Sequence, residues 1–142
     1  MSKNKVSGLV TLFTDGASRG NPGPAAVGAV LYSSGGEKIA EVSRCLGNAT
    51  NNEAEYLAVV YGLREAALCG VREIVLKTDS QLVSRQLNGS YRVKNPRVRL
   101  FFDLARGMFK FFDKVEVVEI PREENGESDL LANKALDEGS LI

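Results

Sequence analysis

The hydrophobic pattern changes period about a third of the way along the chain. At first, apolar residues come in short runs broken by Gly, Pro and Ser. Leu9-Val10-Thr11-Leu12-Phe13-Thr14 leads into Asp15 and predicts a strand over Val10–Asp15. Ala25–Tyr32, rich in Ala, Val and Gly, predicts a second strand, and Glu37–Leu46 a third, with Ile39, Val42 and Cys45 as its apolar residues. Ser33-Ser34-Gly35-Gly36 between them is a hairpin signal, so an antiparallel meander is expected. The spacing then turns helical. Thr50-Asn51-Asn52-Glu53 matches a capping box, with Thr50 as cap and Glu53 reaching back. That helix is expected to run to about Leu68, where Gly70 stops it. Arg72–Thr78 reads as a strand and Ser80–Leu87 as a short helix ended by Asn88-Gly89. A further helix starts near Asn95-Pro96 and carries Val98, Phe101, Phe102, Ala105, Phe109 and Phe112. Val115–Ile120 alternates as a strand would, and a last helix runs from Asn125 or Gly126 to about Glu138.

Strands followed by β-α-β-α-α-β-α predict a single α/β domain over residues 1–142 with a mixed sheet. A right-handed crossover through the Thr50 helix would lay the strands ending at Asp15 and Asp79 side by side. Sites in open α/β sheets collect at such strand ends.

Four carboxylates break these patterns. Asp15 and Asp79 end apolar strands. Glu55 shares a small-residue helix face with Ala58, Val59, Gly62 and Ala66, and Asp129 shares one with Ala132 and Leu136. Acids at core-facing positions carry a desolvation cost unless something pairs with them. The chain has no His, and no single basic residue is shared by all four. A divalent cation is the economical partner, and oxygen-only ligands favour Mg²⁺ or Mn²⁺ over zinc or copper. Taken singly, Asp79 reads equally as the cap of the Ser80 helix and Asp129 as a first-turn acid matched to the helix dipole. The set of four carries the expectation. Glu53 is assigned to the cap and Glu65 to solvent. The Asp15–Pro24 segment has the glycines of a phosphate loop, but a strand follows it rather than a helix N-terminus. It is read as a tight connection that brings backbone close to a ligand.

Composition narrows the chemistry. The chain has 142 residues, 44% hydrophobic and 25% charged, as soluble globular domains do. Without His, Ser-His-Asp triads and His-containing zinc sites are excluded. Cys45 and Cys69 lack metal-like spacing and are expected to be buried thiols. A polar, basic start (Met1 to Gly8) and the lack of a membrane-length apolar run lead us to expect a cytoplasmic protein. Charge is uneven: residues 85–114 hold eight basic side chains and two acids, and 115–142 hold eight acids and two basic ones. A basic segment beside an acidic cluster suits a polyanion held near a metal site. A solvated helix face with mixed neighbours is the plain alternative.

The chain resembles the type 1 ribonuclease H family over nearly its whole length. The resemblance rests on Thr14-Asp15-Gly16-Ala17-Ser18 with Asn21-Pro22-Gly23-Pro24, Thr50-Asn51-Asn52-Glu53-Ala54-Glu55-Tyr56, Thr78-Asp79-Ser80-Gln81, and Arg122 through Ala132 with Asn125 and Asp129. It implies an α/β, ribonuclease H-like fold: a five-stranded mixed sheet, three antiparallel strands then two parallel, flanked by helices. It implies hydrolysis of the RNA strand of RNA–DNA hybrids with two Mg²⁺ ions, leaving 5′-phosphate and 3′-hydroxyl ends. Asp15 would then bridge both ions, Asp129 would help hold the ion beside the attacking water, and Glu55 and Asp79 the ion beside the leaving oxygen. Asn21, Asn51, Asn52 and Gln81 match positions that contact the minor groove, Thr50 one near a DNA-strand phosphate, and Ser18 is a weaker contact. The hybrid is the implied partner, with no membrane and no obligate protein partner.

Two departures stand out. Many relatives carry a His in the loop before the last helix, where this chain has Pro121-Arg122-Glu123-Glu124-Asn125. Arg122 can attract phosphate but stays charged and cannot shuttle protons, whereas Glu124 could do so through water. The basic insertion of many relatives is also lacking. Tyr91, Arg92, Lys94 and Asn95 are the substrate-side candidates of the compact Gly89–Arg99 stretch, and weaker, more salt-sensitive binding is expected. The alternatives are a same-fold nuclease preferring double-stranded RNA and an inactive nucleic-acid-binding module. The intact set of acids argues against the second.

Overall fold

The computed structural model describes residues 8–139, so the expected polar start at residues 1–7 lies outside the described part. The elements run β1 (Leu9–Ser18), β2 (Gly23–Tyr32), β3 (Lys38–Ala49), α1 (Asn51–Leu68), β4 (Glu73–Thr78), α2 (Gln81–Leu87), α3 (Pro96–Gly107), β5 (Lys114–Glu119) and α4 (Gly126–Gly139). The strands form one sheet in the order β3-β2-β1-β4-β5. The β1–β2 and β2–β3 pairs are antiparallel, and the β1–β4 and β4–β5 pairs are parallel. This is the mixed sheet that the order of elements predicted.

β2 is buried nearly throughout because helices cover both of its faces. On one face Val10, Leu12, Ala29 and Leu31 join Tyr56, Val59, Leu63, Ile74 and Leu76 under α1, all of them fully buried. Each fully buried Val, Leu or Ile among them contributes about 1.5–3 kcal/mol. On the other face Ala17 and Ala26 meet Ala135 and Leu136 of α4. Strand alternation therefore turns Leu12, Thr14 and Gly16 toward α1, and Phe13, Asp15 and Ala17 toward α4. Glycines set how close the helices come. A Cβ on Gly28 would lie 2.0 Å from the Ser128 carbonyl oxygen, and one on Gly62 would lie 2.9 Å from Leu12 Cδ1.

Some expectations need correcting. β1 does not stop at Asp15, because Gly16, Ala17 and Ser18 stay paired with Val27, Ala26 and Ala25. α3 ends at Gly107, and Met108–Phe111 tightens into a 3₁₀ turn. The turn lets Asp113 N donate to Arg72 O and start β5 beside β4. Phe112 is buried, but beyond the helix expected to carry it. The cysteines are not buried: Cys45 is exposed on the edge strand β3, and Cys69 is half-buried at the end of α1. Among the described residues, no helix is long and apolar enough to cross a membrane.

Candidate active site

The parallel register pairs Thr14 with Thr78, so Asp15, within β1, and Asp79, just past β4, stand side by side. Asp79 does not cap α2. Ser80 Oγ accepts from Val83 N at 3.2 Å and holds that role. Glu55 comes from the start of α1, where Gly16 N donates to its Oε1 at 2.9 Å. Only glycine allows this approach, because a Cβ on residue 16 would sit 2.2 Å from the Ala54 carbonyl carbon. Carboxylate oxygens of Asp15, Glu55 and Asp79 lie within 4.8 Å of one another.

α4 delivers the fourth acid from the opposite face. Buried Asn125 donates through Nδ2 to Thr14 O at 2.8 Å and accepts from Ser128 Oγ at 2.5 Å. These bonds fix the first turn of α4 against β1 just before Asp15, and Asp129 on that turn lines the same hollow, of ≈ 520 Å³. All four acids singled out in the sequence are thus brought to one place.

Their electrostatics are strained. Burial first, then the charges of Glu55 and Asp79 and the neighbouring Asp129, push the Asp15 carboxyl up to about 9. Burial also pushes Glu55 up to about 7; the Gly16 N–H bond and the Arg122 charge act the other way. Oxygen donors that hold a proton for want of positive charge suit a hard divalent cation. A raised carboxyl pKa means that above about pH 4 the unfolded chain binds fewer protons than the native one at this site. Without divalent metal, stability should fall as pH rises from about 4 toward 7 and on to about 9. Urea melts in EDTA across that range check this; a site-dependent rise with pH would contradict it.

The remaining candidates fall around this hollow. Ser18, Asn51, Asn52 and Arg122 line it. The Ser18 hydroxyl lies against the Gly20 and Ala49 carbonyls and ties the β1–β2 connection to the end of β3. Asn21 Oδ1 accepts from Asn51 N at 3.1 Å. Asn21, Thr50 and Asn52 share an adjacent hollow with Asn95 and Arg97. Gln81 is exposed on the first turn of α2, just after Asp79 and Ser80. Thr50 and Glu53 form the expected capping box, and buried Glu53 also pairs with Arg97. Asn95 caps α3, accepting from Arg97 N and Val98 N. Two lining residues were not foreseen, Arg19 and Asn133. Asn133 follows Asp129 by one helical turn, a spacing visible in the sequence; for Arg19 the sequence holds no comparable signal.

A family model described as reverse transcriptase-like matches residues 13–135. A ribonuclease HI of Halobacterium salinarum is 47% identical over 92% of this chain. The chain spans 66% of that relative's length and 35% of the next curated relative's. The crystal structure of RNase H1 from Halobacterium salinarum superposes with a TM-score of 0.90 at 46% identity, covering 92% of this chain and 99% of that one. LC11-RNase H1 in complex with an RNA/DNA hybrid superposes at 0.87 with 35% identity, covering 92% and 98%. With its sheet order, its converging acids and these likenesses, the chain belongs to the ribonuclease H family.

Proposed function

We propose that the protein is a cytoplasmic endonuclease that hydrolyses the RNA strand of RNA–DNA hybrids, leaving 5′-phosphate and 3′-hydroxyl ends, with its catalytic unit spanning residues 1–142. The observation that carries this is the meeting of Asp15, Glu55 and Asp79 at the Thr14–Thr78 end of the β1–β4 ladder, with Asp129 in the same hollow. These four would hold two Mg²⁺ ions, Mn²⁺ being the alternative, and such a pair stabilises both the attacking and the leaving oxygen of an in-line displacement.

The chain's own part is positioning. Asp15 is fixed within a paired strand and Glu55 by the Gly16 amide, so the oxygens need little reorganisation when substrate arrives. Asn51 and Asn52 carry amides that both donate and accept, as reading 2′-hydroxyls and base edges in a minor groove requires. Asn21 anchors the start of α1 that presents them. The adjacent hollow with Thr50, Asn95 and Arg97 offers donors for a phosphate of the DNA strand. Arg122 adds positive charge beside Glu55. A structurally similar ribonuclease H1 has been crystallised with an RNA/DNA hybrid, which supports the choice of duplex.

Labelled RNA–DNA hybrid, double-stranded RNA and double-stranded DNA, each with Mg²⁺ or EDTA, test this. Cleavage of the RNA strand of the hybrid alone, and only with Mg²⁺, is expected. Preferred cleavage of double-stranded RNA would replace the substrate, and binding without cleavage would leave a nucleic-acid-binding module. Within the same assay, Glu55→Gln should lower the rate roughly a hundredfold or more. Glu53→Gln should cost less than about threefold, since Gln still completes a capping box. Equal losses would overturn the division between ligand and cap.

A further inference from the structure

We propose that Arg19 contacts a phosphate of the cleaved strand on the α4 side of the active site, an assignment that rests on the nuclease function above. Arg19 leaves β1 in the connection to β2, and its backbone N donates to Pro24 O at 2.8 Å, closing that loop. Its guanidinium is clasped: Nη2 donates to Asp137 Oδ1 at 2.6 Å and reaches Asn133 Oδ1 at 3.4 Å. Asn133 in turn donates through Nδ2 to the Asp129 carbonyl oxygen at 3.0 Å and to its carboxylate at 3.3 Å. The guanidinium is therefore one side chain away from the fourth acid, yet its own side chain remains 45% exposed at the rim.

Four acids repel the phosphodiester chain that must enter among them. Among the described residues lining the hollow, the cationic ones are Arg19 and Arg122. Arg122 stands where its charge acts on Glu55, and Arg19 stands on the α4 flank. A strand crossing the acids from one cation to the other would have its phosphates matched on both sides. Asp137 and Asn133 both engage Nη2. A guanidinium has five N–H donors in a fork suited to phosphate, so one can be held without opening the clasp. The clasp also holds the side chain ready, which an unpaired surface lysine would not be.

Arg19→Ala, Arg19→Lys and Asp137→Asn are compared with wild type for hybrid cleavage in Mg²⁺ and for hybrid binding in EDTA, between about 50 and 200 mM salt. Arg19→Ala is expected to raise KM about tenfold with kcat nearly unchanged, and to reduce the slope of log affinity against log salt by about one. Arg19→Lys and Asp137→Asn, which both leave a cation at residue 19, should keep the wild-type slope. Arg19→Ala with wild-type KM and slope overturns the proposal. So does Asp137→Asn reproducing the loss of slope, because the clasp alone would then matter. If Arg19→Ala is too unstable to measure, Arg19→Gln, whose amide can still donate to Asp137, is measured in its place, with a slope reduced by about one supporting the contact and an unchanged slope refuting it. Wild type that cleaves double-stranded RNA instead would sink the hybrid as substrate and leave the slope on that duplex to judge Arg19. Wild type that cleaves nothing overturns both.

Discussion

Asp15→Asn is expected to lower hybrid cleavage on the order of a thousandfold or more while raising the melting temperature of the metal-free protein. Both effects come from one cause. Asp15 is 6% exposed and is crowded by Glu55, Asp79 and Asp129. In the absence of cations its charge opposes folding, and the group stays protonated up to about 9. An amide of the same shape removes that opposition. A gain of about 1–3 kcal/mol, or several degrees in Tm, is expected near neutral pH in EDTA. The same amide cannot supply the negative oxygen shared among the acids, so the gain in stability accompanies a loss of function. Initial rates and melting curves on one preparation test both halves. Cleavage within about tenfold of wild type would remove Asp15 from the mechanism.

Gly16→Ala should be, with Gly28→Ala, among the most damaging single methyls at the described glycines. Its Cβ would meet the Ala54 carbonyl carbon at 2.2 Å, the Ala54 oxygen at 2.3 Å and the Glu55 amide nitrogen at 2.4 Å. All three are backbone atoms of α1, and β1 is held between β2 and β4. Neither side can yield by rotating a side chain, so helix and strand must separate. A loss of about 3 kcal/mol or more is expected, at the upper end for overpacking. The separation also stretches the Gly16–Glu55 hydrogen bond, so rate falls with stability. Gly36→Ala has nothing within 4 Å of its Cβ and serves as the contrast in space, though its φ of +87° adds some strain. Equal Tm values for Gly16→Ala and wild type would show that β1 and α1 are not so tightly apposed.

Much of this site is legible in the sequence because its acids offend a pattern. Asp15 and Asp79 follow apolar runs, Glu55 interrupts a small-residue stripe, and the strand-helix-strand order implies the adjacency that joins them. The capping box that sets Glu53 apart from Glu55 is equally a matter of spacing. Other features depend on tertiary contacts that no local window contains. β1 continues through Asp15 because β2 supplies partners for three more residues. α3 gives way to a 3₁₀ turn because the chain must reach the edge of β4. Arg19 lines the site because Asp137, 118 residues later, turns it there. The exposure of Cys45 follows from the edge position of β3, which its apolar neighbours do not reveal.

Calorimetric titration of Mg²⁺ into the protein at about pH 7.5 and pH 5.5, with Asp15→Asn alongside, bears most directly on the claim that four acids form one cation site. Protons and cations compete for the same oxygens. Binding should be tighter at the higher pH, release protons, and be lost in Asp15→Asn. Affinity that is unchanged by pH and by Asp15→Asn would place the cation elsewhere and contradict the account.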